Sequence, residues 1–290
     1  MRKLLVLGTA LAALLLAPAS QALAGSHNPT GEFAQFEECP LNTETVLVCV
    51  FSESDGGFFQ IGAKTVPLED PVTLQGGLGL DLETFEETFV AAENGETLTK
   101  VPQTVPGGLL GIEAPAWWPW WLQSWFNNKI NEGLTGVTAT VELAGPASDI
   151  EVSLGAILVE VGTAISLPVK IKLDNALLGS NCYIGSDSNP VTIDFTSGET
   201  SPPPPNEPIH GSAGELEINE TGTLVTLSGG ELVNNSFGAP GADGCGGIFS
   251  FFIDPLVNSL VGLPSPAGTN SAVLEGKLQS AEAAAVKASE

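Results

Sequence analysis

Basic residues are almost missing from this 290-residue chain: nine Lys and Arg stand against 34 Asp and Glu, a formal net charge of −25. Arg2 is the only arginine. That excludes nucleic acid as a partner, because phosphate binding works by releasing counterions to clustered Lys and Arg. Anionic membrane surfaces are disfavoured on the same ground. Histidine is nearly absent as well, with only His27 and His210. His27 stands close to the N-terminus and is expected to be disordered. His210 lies in "NEPIHGSAG" beside Ser212, but the chain has no G-x-S-x-G elbow, so a solvated loop histidine is the simpler expectation than a catalytic one.

Other absences narrow the chemistry further. The four cysteines form no C-x-x-C or Cys/His cluster, which argues against zinc. There is no P-loop, and "GGLGLD" (Gly76 to Asp81) lacks the spacing of a dinucleotide site. No cofactor is expected. "ESDGG" (Glu53 to Gly57), "GSDSN" (Gly185 to Asn189) and "PGADGCGG" (Pro240 to Gly247) are rich in oxygen ligands, yet none has EF-hand spacing. They are read as turns between strands, and no metal site is expected. Carboxylates are so numerous that a pair set for glycoside hydrolysis would not stand out. Asn219 and Asn234 fit the glycosylation sequon, which carries little information by itself.

What is present begins at the N-terminus. Arg2 and Lys3 precede the apolar "LLVLGTALAALLLAPA", and Ala22-Leu23-Ala24 fits a small-x-small cleavage site. Residues 1–24 are therefore read as a signal peptide, and the protein as exported. "GAILVEVGTAISLPVKI" is broken by Glu160, Gly162 and Pro168, so no transmembrane anchor is expected. In an exported chain, Cys39, Cys49, Cys182 and Cys245 read as two disulfides. Three connectivities are open, and Cys39–Cys49 with Cys182–Cys245 is favoured because each closes locally. Loop closure would contribute about 3 and about 4 kcal/mol respectively.

The 34 Gly, 21 Pro and abundant Val, Thr, Leu and Ile point to an all-β chain. "VTATVEL", "VKIKLD" and "VTIDFT" alternate apolar and polar residues in the half-buried pattern of antiparallel sheet. "ELEINETGTLVTLSGG" reads as a hairpin turning at Asn219 to Gly222. "TSGETSPPPPNEP" reads as a stiff surface loop, its prolines at 201–208, inside a single domain of residues 25–276. Residues 277–290 are expected to be a frayed tail or short helix. The expected architecture is a β-sandwich or barrel-like domain with one amphipathic helix near 118–132.

That helix carries all five tryptophans: Trp117, Trp118, Trp120, Trp121 and Trp125. With Pro119 early in the helix, Trp118, Trp121, Leu122, Trp125, Phe126 and Ile130 form one apolar stripe. The expectation is that this stripe packs on the β core. Trp117 and Trp120, off the stripe, are then the most accessible. Five exposed rings would exceed the apolar patch of an ordinary monomer, so the run is also the candidate binding surface. A flat apolar or sugar-like surface suits it better than membrane insertion, because only Lys129 is basic nearby.

Several phrases carry a resemblance: "FEECPLNTETVLVCVFSESDGGFFQIG", "VPGGLLGI", "GLTGVTATVELAGP", "LLGSNCYIGSDSNPVTI", "PPPPNEPI", "PGADGCGG" and "LPSPAGTNSAVLEG". Across most of its length the chain resembles an uncharacterised family of secreted proteins from high-GC Gram-positive bacteria. The resemblance implies an exported, disulfide-stapled β-protein and transfers no functional residues. The expected function is a non-enzymatic secreted or cell-surface protein that binds cell-wall material or an apolar ligand, or serves as an envelope component. A secreted hydrolase and a carrier of an apolar ligand are the alternatives.

Overall fold

The period-2 segments become the centre of the protein. The computed structural model describes residues 27–80, 87–108, 116–126 and 136–290. A 3-10 turn at Gly31–Phe36 is followed by β1 (Val46–Ile61), β2 (Lys64–Pro67), β3 (Val72–Leu80), β4 (Glu87–Ala91) and β5 (Gln103–Thr104). Then come α1 (Trp120–Phe126), β6 (Thr138–Leu143), β7 (Glu151–Val152), α2 (Leu154–Val159), β8 (Ile165–Asp174), β9 (Tyr183–Ile184) and β10 (Val191–Phe195). The last elements are β11 (Glu215–Ile218), β12 (Leu224–Asn234), β13 (Ala242–Asp243), α3 (Ser250–Val261), β14 (Ser271–Glu282) and α4 (Ala283–Ala288).

Two antiparallel sheets face each other. The first runs β11-β12-β14-β1-β3-β4, with β2 beside β1. The second runs β13-β9-β8-β6-β5, with β7 and β10 also on β8. Val169, Ile171 and Leu173 of β8 point inward and are buried, as do Val191, Ile193 and Phe195 of β10. Lys170 and Lys172 point out and pair with Asp187 and Asp174. The sheets touch at one edge, where Thr196 and Val233 exchange backbone hydrogen bonds of 3.0 and 2.9 Å. Among the described residues this edge does not extend into a closed barrel. Each fully buried Val, Leu, Ile or Phe contributes on the order of 1.5–3 kcal/mol. The all-β sandwich and both favoured disulfides, Cys39–Cys49 and Cys182–Cys245, are found as expected. So is the hairpin, in which the Asn219 side chain accepts from the backbone N–H of Thr223 and Leu224.

Three expectations are corrected. Residues 277–290 are not a frayed tail: β14 lies between β1 and β12 through Glu282, and the expected short helix is α4, whose Val286 is fully buried. Val286 joins Phe36, Val46, Leu224 and the Cys39–Cys49 bridge in a second cluster on the outer face of the first sheet. His27 is held too: its ring nitrogens bond the Glu93 (3.1 Å) and Glu290 carboxylates, and the Asn42 amide donates to the same Glu93 oxygen. "ESDGG" is not a turn between strands but a bulge inside β1, where Asp55 has no partner on β14. Gly276 faces this bulge, and a Cβ there would stand 2.0 Å from the Glu53 carbonyl oxygen. A second bulge, at Gly229 of β12, sits on the other side of Gly276, and together they bend the sheet. The expected helix of the tryptophan run is found: it is described over Trp120–Phe126, and residues 127–132 lie outside the described residues.

Candidate functional site

Between the sheets lies a cavity of about 120 Å³. Its wall is built by the inward faces of both sheets: Phe59, Val72, Leu74, Leu232 and Leu274 from the first, and Ala139, Val141, Leu167, Val169 and Ile193 from the second. The lining side chains are apolar except Ser52, Ser54, Lys64, Thr99 and Gln103. Most of these are already occupied. The Gln103 side chain accepts from Glu69 and Asp70 N–H and donates to the Asp70 carbonyl. Thr99 Oγ1 accepts from Thr73 N–H, and Lys64 Nζ donates to the Gly108 carbonyl at 3.2 Å. An apolar void of this size, close to the roughly 150 Å³ that takes up benzene in an engineered core, favours an apolar guest over water.

One end of the cavity is closed by α3. Val257 is fully buried and Val261 nearly so, and both line the void. Val261 is held by its carbonyl, which accepts from Ala63 N–H at 2.7 Å in the β1–β2 turn. That approach requires glycine at 62, whose φ is +56° and whose Cβ would fall 2.2 Å from the Val261 oxygen. Asn270, fully buried, pins the same turn by accepting from Gly62 N–H and donating to the Phe237 carbonyl. At the other end of α3, Cys245 N–H donates to the Asp254 carboxylate at 2.7 Å, and Gly246 N–H donates to the Leu178 carbonyl. Asn258 clamps β13 with both halves of its amide, to Ala242 N–H and Ala242 carbonyl.

The tryptophan run leaves the sandwich beside this end. Gly108, before it, accepts from Lys64, which directly follows Ala63. Gly136, after it, accepts from the Asn175 side chain, and Asn175 in turn accepts from Leu178 N–H. The two roots are thus tied to the two ends of α3. The run itself does not pack as expected. Trp117 and Trp120 are 82% and 79% exposed, and Trp121 and Trp125 also face water. Trp118 is half-buried and meets Trp117 edge-on at 6.1 Å. Gln123 turns back to cap the Ala116 and Trp118 carbonyls.

Other candidate groups stay apart. The exposed His210 ring donates to the neighbouring Gly211 carbonyl, and Ser212 Oγ accepts from Gly214 N–H. No hydrogen bond described for either residue joins the two. The "GSDSN" and "PGADGCGG" turns do meet, through the β9–β13 pair, and rim an open polar groove of about 280 Å³ with Lys170, Tyr183, Asp187 and Asp243. Inside it the Lys170–Asp187 pair at 2.6 Å spends one acid on a cation, and the hydrogen bond to Asp187 raises the Lys170 pKa. Among the described residues no three His, Cys, Asp or Glu gather as a metal site would need.

Sequence reasoning missed α3. "GIFSFFIDPLVNSLVG" has Pro255 inside the helix and aromatic residues on the wrong side for a simple stripe. The signal was there in Ile253, Val257 and Val261, one turn apart, followed by Gly262 at φ +80° as the C-terminal stop. Compared with protein-family models, curated proteins and solved structures, the chain matches none.

Proposed function

We propose that this is an exported, non-enzymatic binding protein that carries an apolar ligand between its two sheets. The observation that carries the reading is the inter-sheet void, walled by Val, Leu, Ile and Phe from both sheets and sealed at one end by α3. Natural cores are packed to crystal density, so an apolar void is held open at a cost in dispersion energy that a bound apolar molecule recovers. Export is supported by the signal-like residues 1–24, by two disulfides, and by the surplus of acids that keeps a secreted protein dispersed. The same proposal includes membership of the uncharacterised secreted family from high-GC Gram-positive bacteria, which rests on the phrases quoted above.

The test is direct. Organic extraction of the purified protein, followed by mass spectrometry, is expected to release an apolar molecule, and the emptied protein to take up a fluorescent fatty acid. Filling the void with Ala139→Leu or Leu74→Phe should remove both signals while far-UV circular dichroism stays unchanged. Uptake that survives both fillings overturns the proposal. Turnover of an ester, glycoside or peptide substrate that is lost in His210→Ala would replace it with a hydrolase.

A further inference from the structure

The end of the sandwich closed by α3 has an outer face, and that face is apolar. Ile248 is 86% exposed, and Phe249, Phe251, Phe252 and Leu256 also stand largely in water. The two roots of the tryptophan run, Gly108 and Gly136, are tied to residues beside the two ends of the same helix, and Trp117, Trp120, Trp121 and Trp125 stand exposed in the chain between them. Aromatic side chains bury about 150–250 Å² each, so either group by itself reaches the 300–600 Å² patch of an ordinary monomer.

We propose that this end docks on an uncharged lipid surface, the side from which the apolar ligand of the preceding proposal reaches the void. Charge selects the occupant. In a chain of net charge −25, residues 116–126 contain no ionisable side chain, and residues 246–262 contain only Asp254, whose carboxylate already accepts from Cys245 N–H. A second copy would bring the same large negative charge and repel the first. An anionic bilayer would do the same, and neither described segment of the patch carries a Lys or Arg to offset it. A zwitterionic lipid surface imposes neither penalty. It also suits exposed Trp, whose ring sits at the boundary of headgroup and chain. Continuity completes the argument: Val257 and Val261 line the void on the inner side of the helix whose outer side carries Phe251 and Phe252.

Flotation of the purified protein with phosphatidylcholine vesicles tests the surface. The protein should float, and its tryptophan emission should shift to the blue on binding. Phe251→Ser with Phe252→Ser, and separately Trp117→Ser with Trp120→Ser, should each weaken partition by at least about tenfold. All four positions are exposed, so circular dichroism should not change. Adding phosphatidylglycerol to the vesicles should weaken binding. The proposal is overturned if wild-type protein does not float, if both double variants float as well as wild type, or if anionic lipid strengthens binding. It is equally overturned if the double variants instead dissolve a dimer in sedimentation or lose retention on peptidoglycan. The cavity-filling Ala139→Leu keeps the two readings separate. It should float normally yet carry no ligand, so a failed carrier and a failed docking face give different results.

Discussion

Helices α1 and α3 are both dense in aromatic residues, yet among the described side chains only those of α3 reach the core. In α3, Val257 and Val261 are buried on one side while Phe251 and Phe252 are exposed on the other. In α1, Trp120, Trp121 and Trp125 are all exposed, and Leu122 is no more than half-buried. The helix with smaller side chains is the anchored one. Aromatic density therefore says little about where a helix sits. What anchors α3 is the set of hydrogen bonds at its ends and middle, from Ala63, Cys245 and Asn258, which fix its backbone over the void. Among the described residues, the α1 backbone is bonded only within its own turn, where Leu122 and Gln123 N–H donate to the Pro119 carbonyl.

The sharpest way to break this comparison is to place the same charge on each helix. Val257→Asp puts a carboxylate into an apolar void with no partner, and should cost more than about 4 kcal/mol in denaturant unfolding. Leu122→Asp on α1 should cost less than about 1 kcal/mol. Equal costs would mean that α1 is packed as firmly as α3. Next in size is the covalent tie beside α3. Removing Cys182–Cys245 with paired Ser substitutions should lower stability by about 4 kcal/mol. Removing Cys39–Cys49, which closes a shorter loop, should lower it by about 3. Only the first loss should make the α3 end more open to hydrogen exchange.

A smaller effect separates helix anchoring from side-chain burial. Asn258→Ala removes one amide and leaves Ala242 N–H and carbonyl without partners. Ala242 is buried, so the cost should be about 1–3 kcal/mol. A cost below this range, measured by thermal unfolding, would show that water replaces the amide easily and that α3 is held by its apolar face alone.

How much of this was legible depended on the range of the interaction. Strands β8 and β10 were readable because each carries its own alternation, Val169-Ile171-Leu173 and Val191-Ile193-Phe195. The Asn219–Gly222 turn was readable because Asn and Gly dictate it locally. β14 was not. "KLQSAEAAAVKA" has the composition of a helix, and residues 277–282 become a strand only because β1 and β12 offer edges on both sides. The long β1 was hidden by "ESDGG", since a bulge and a turn use the same residues. The void could not be read at all, because it is made by residues from Ser52 to Leu274 that meet only in the folded chain. For the tryptophans, the helical spacing of the apolar stripe was readable but its burial was not: Trp121 and Trp125 stand exposed, because whether another element covers a stripe is decided by residues far away in the chain.

The smallest expected effect concerns those tryptophans directly. If the stripe were core, Trp121→Ala and Trp125→Ala would each cost about 3–5 kcal/mol, as large aromatic deletions do. With both rings more than half exposed, each should instead change stability by no more than about 0.5 kcal/mol. Intrinsic fluorescence reads the same property without mutation. All five indoles of the protein lie in this run, so the emission belongs to it alone. Four are exposed and Trp118 is half-buried, so the spectrum should lie at the wavelength of hydrated indole and be quenched readily by acrylamide. Phosphatidylcholine vesicles should then reverse both properties, moving the emission to the blue and shielding it from the quencher. An emission already blue and shielded in buffer would place these rings inside the protein, erase the contrast between α1 and α3, and remove the tryptophan half of the docking face.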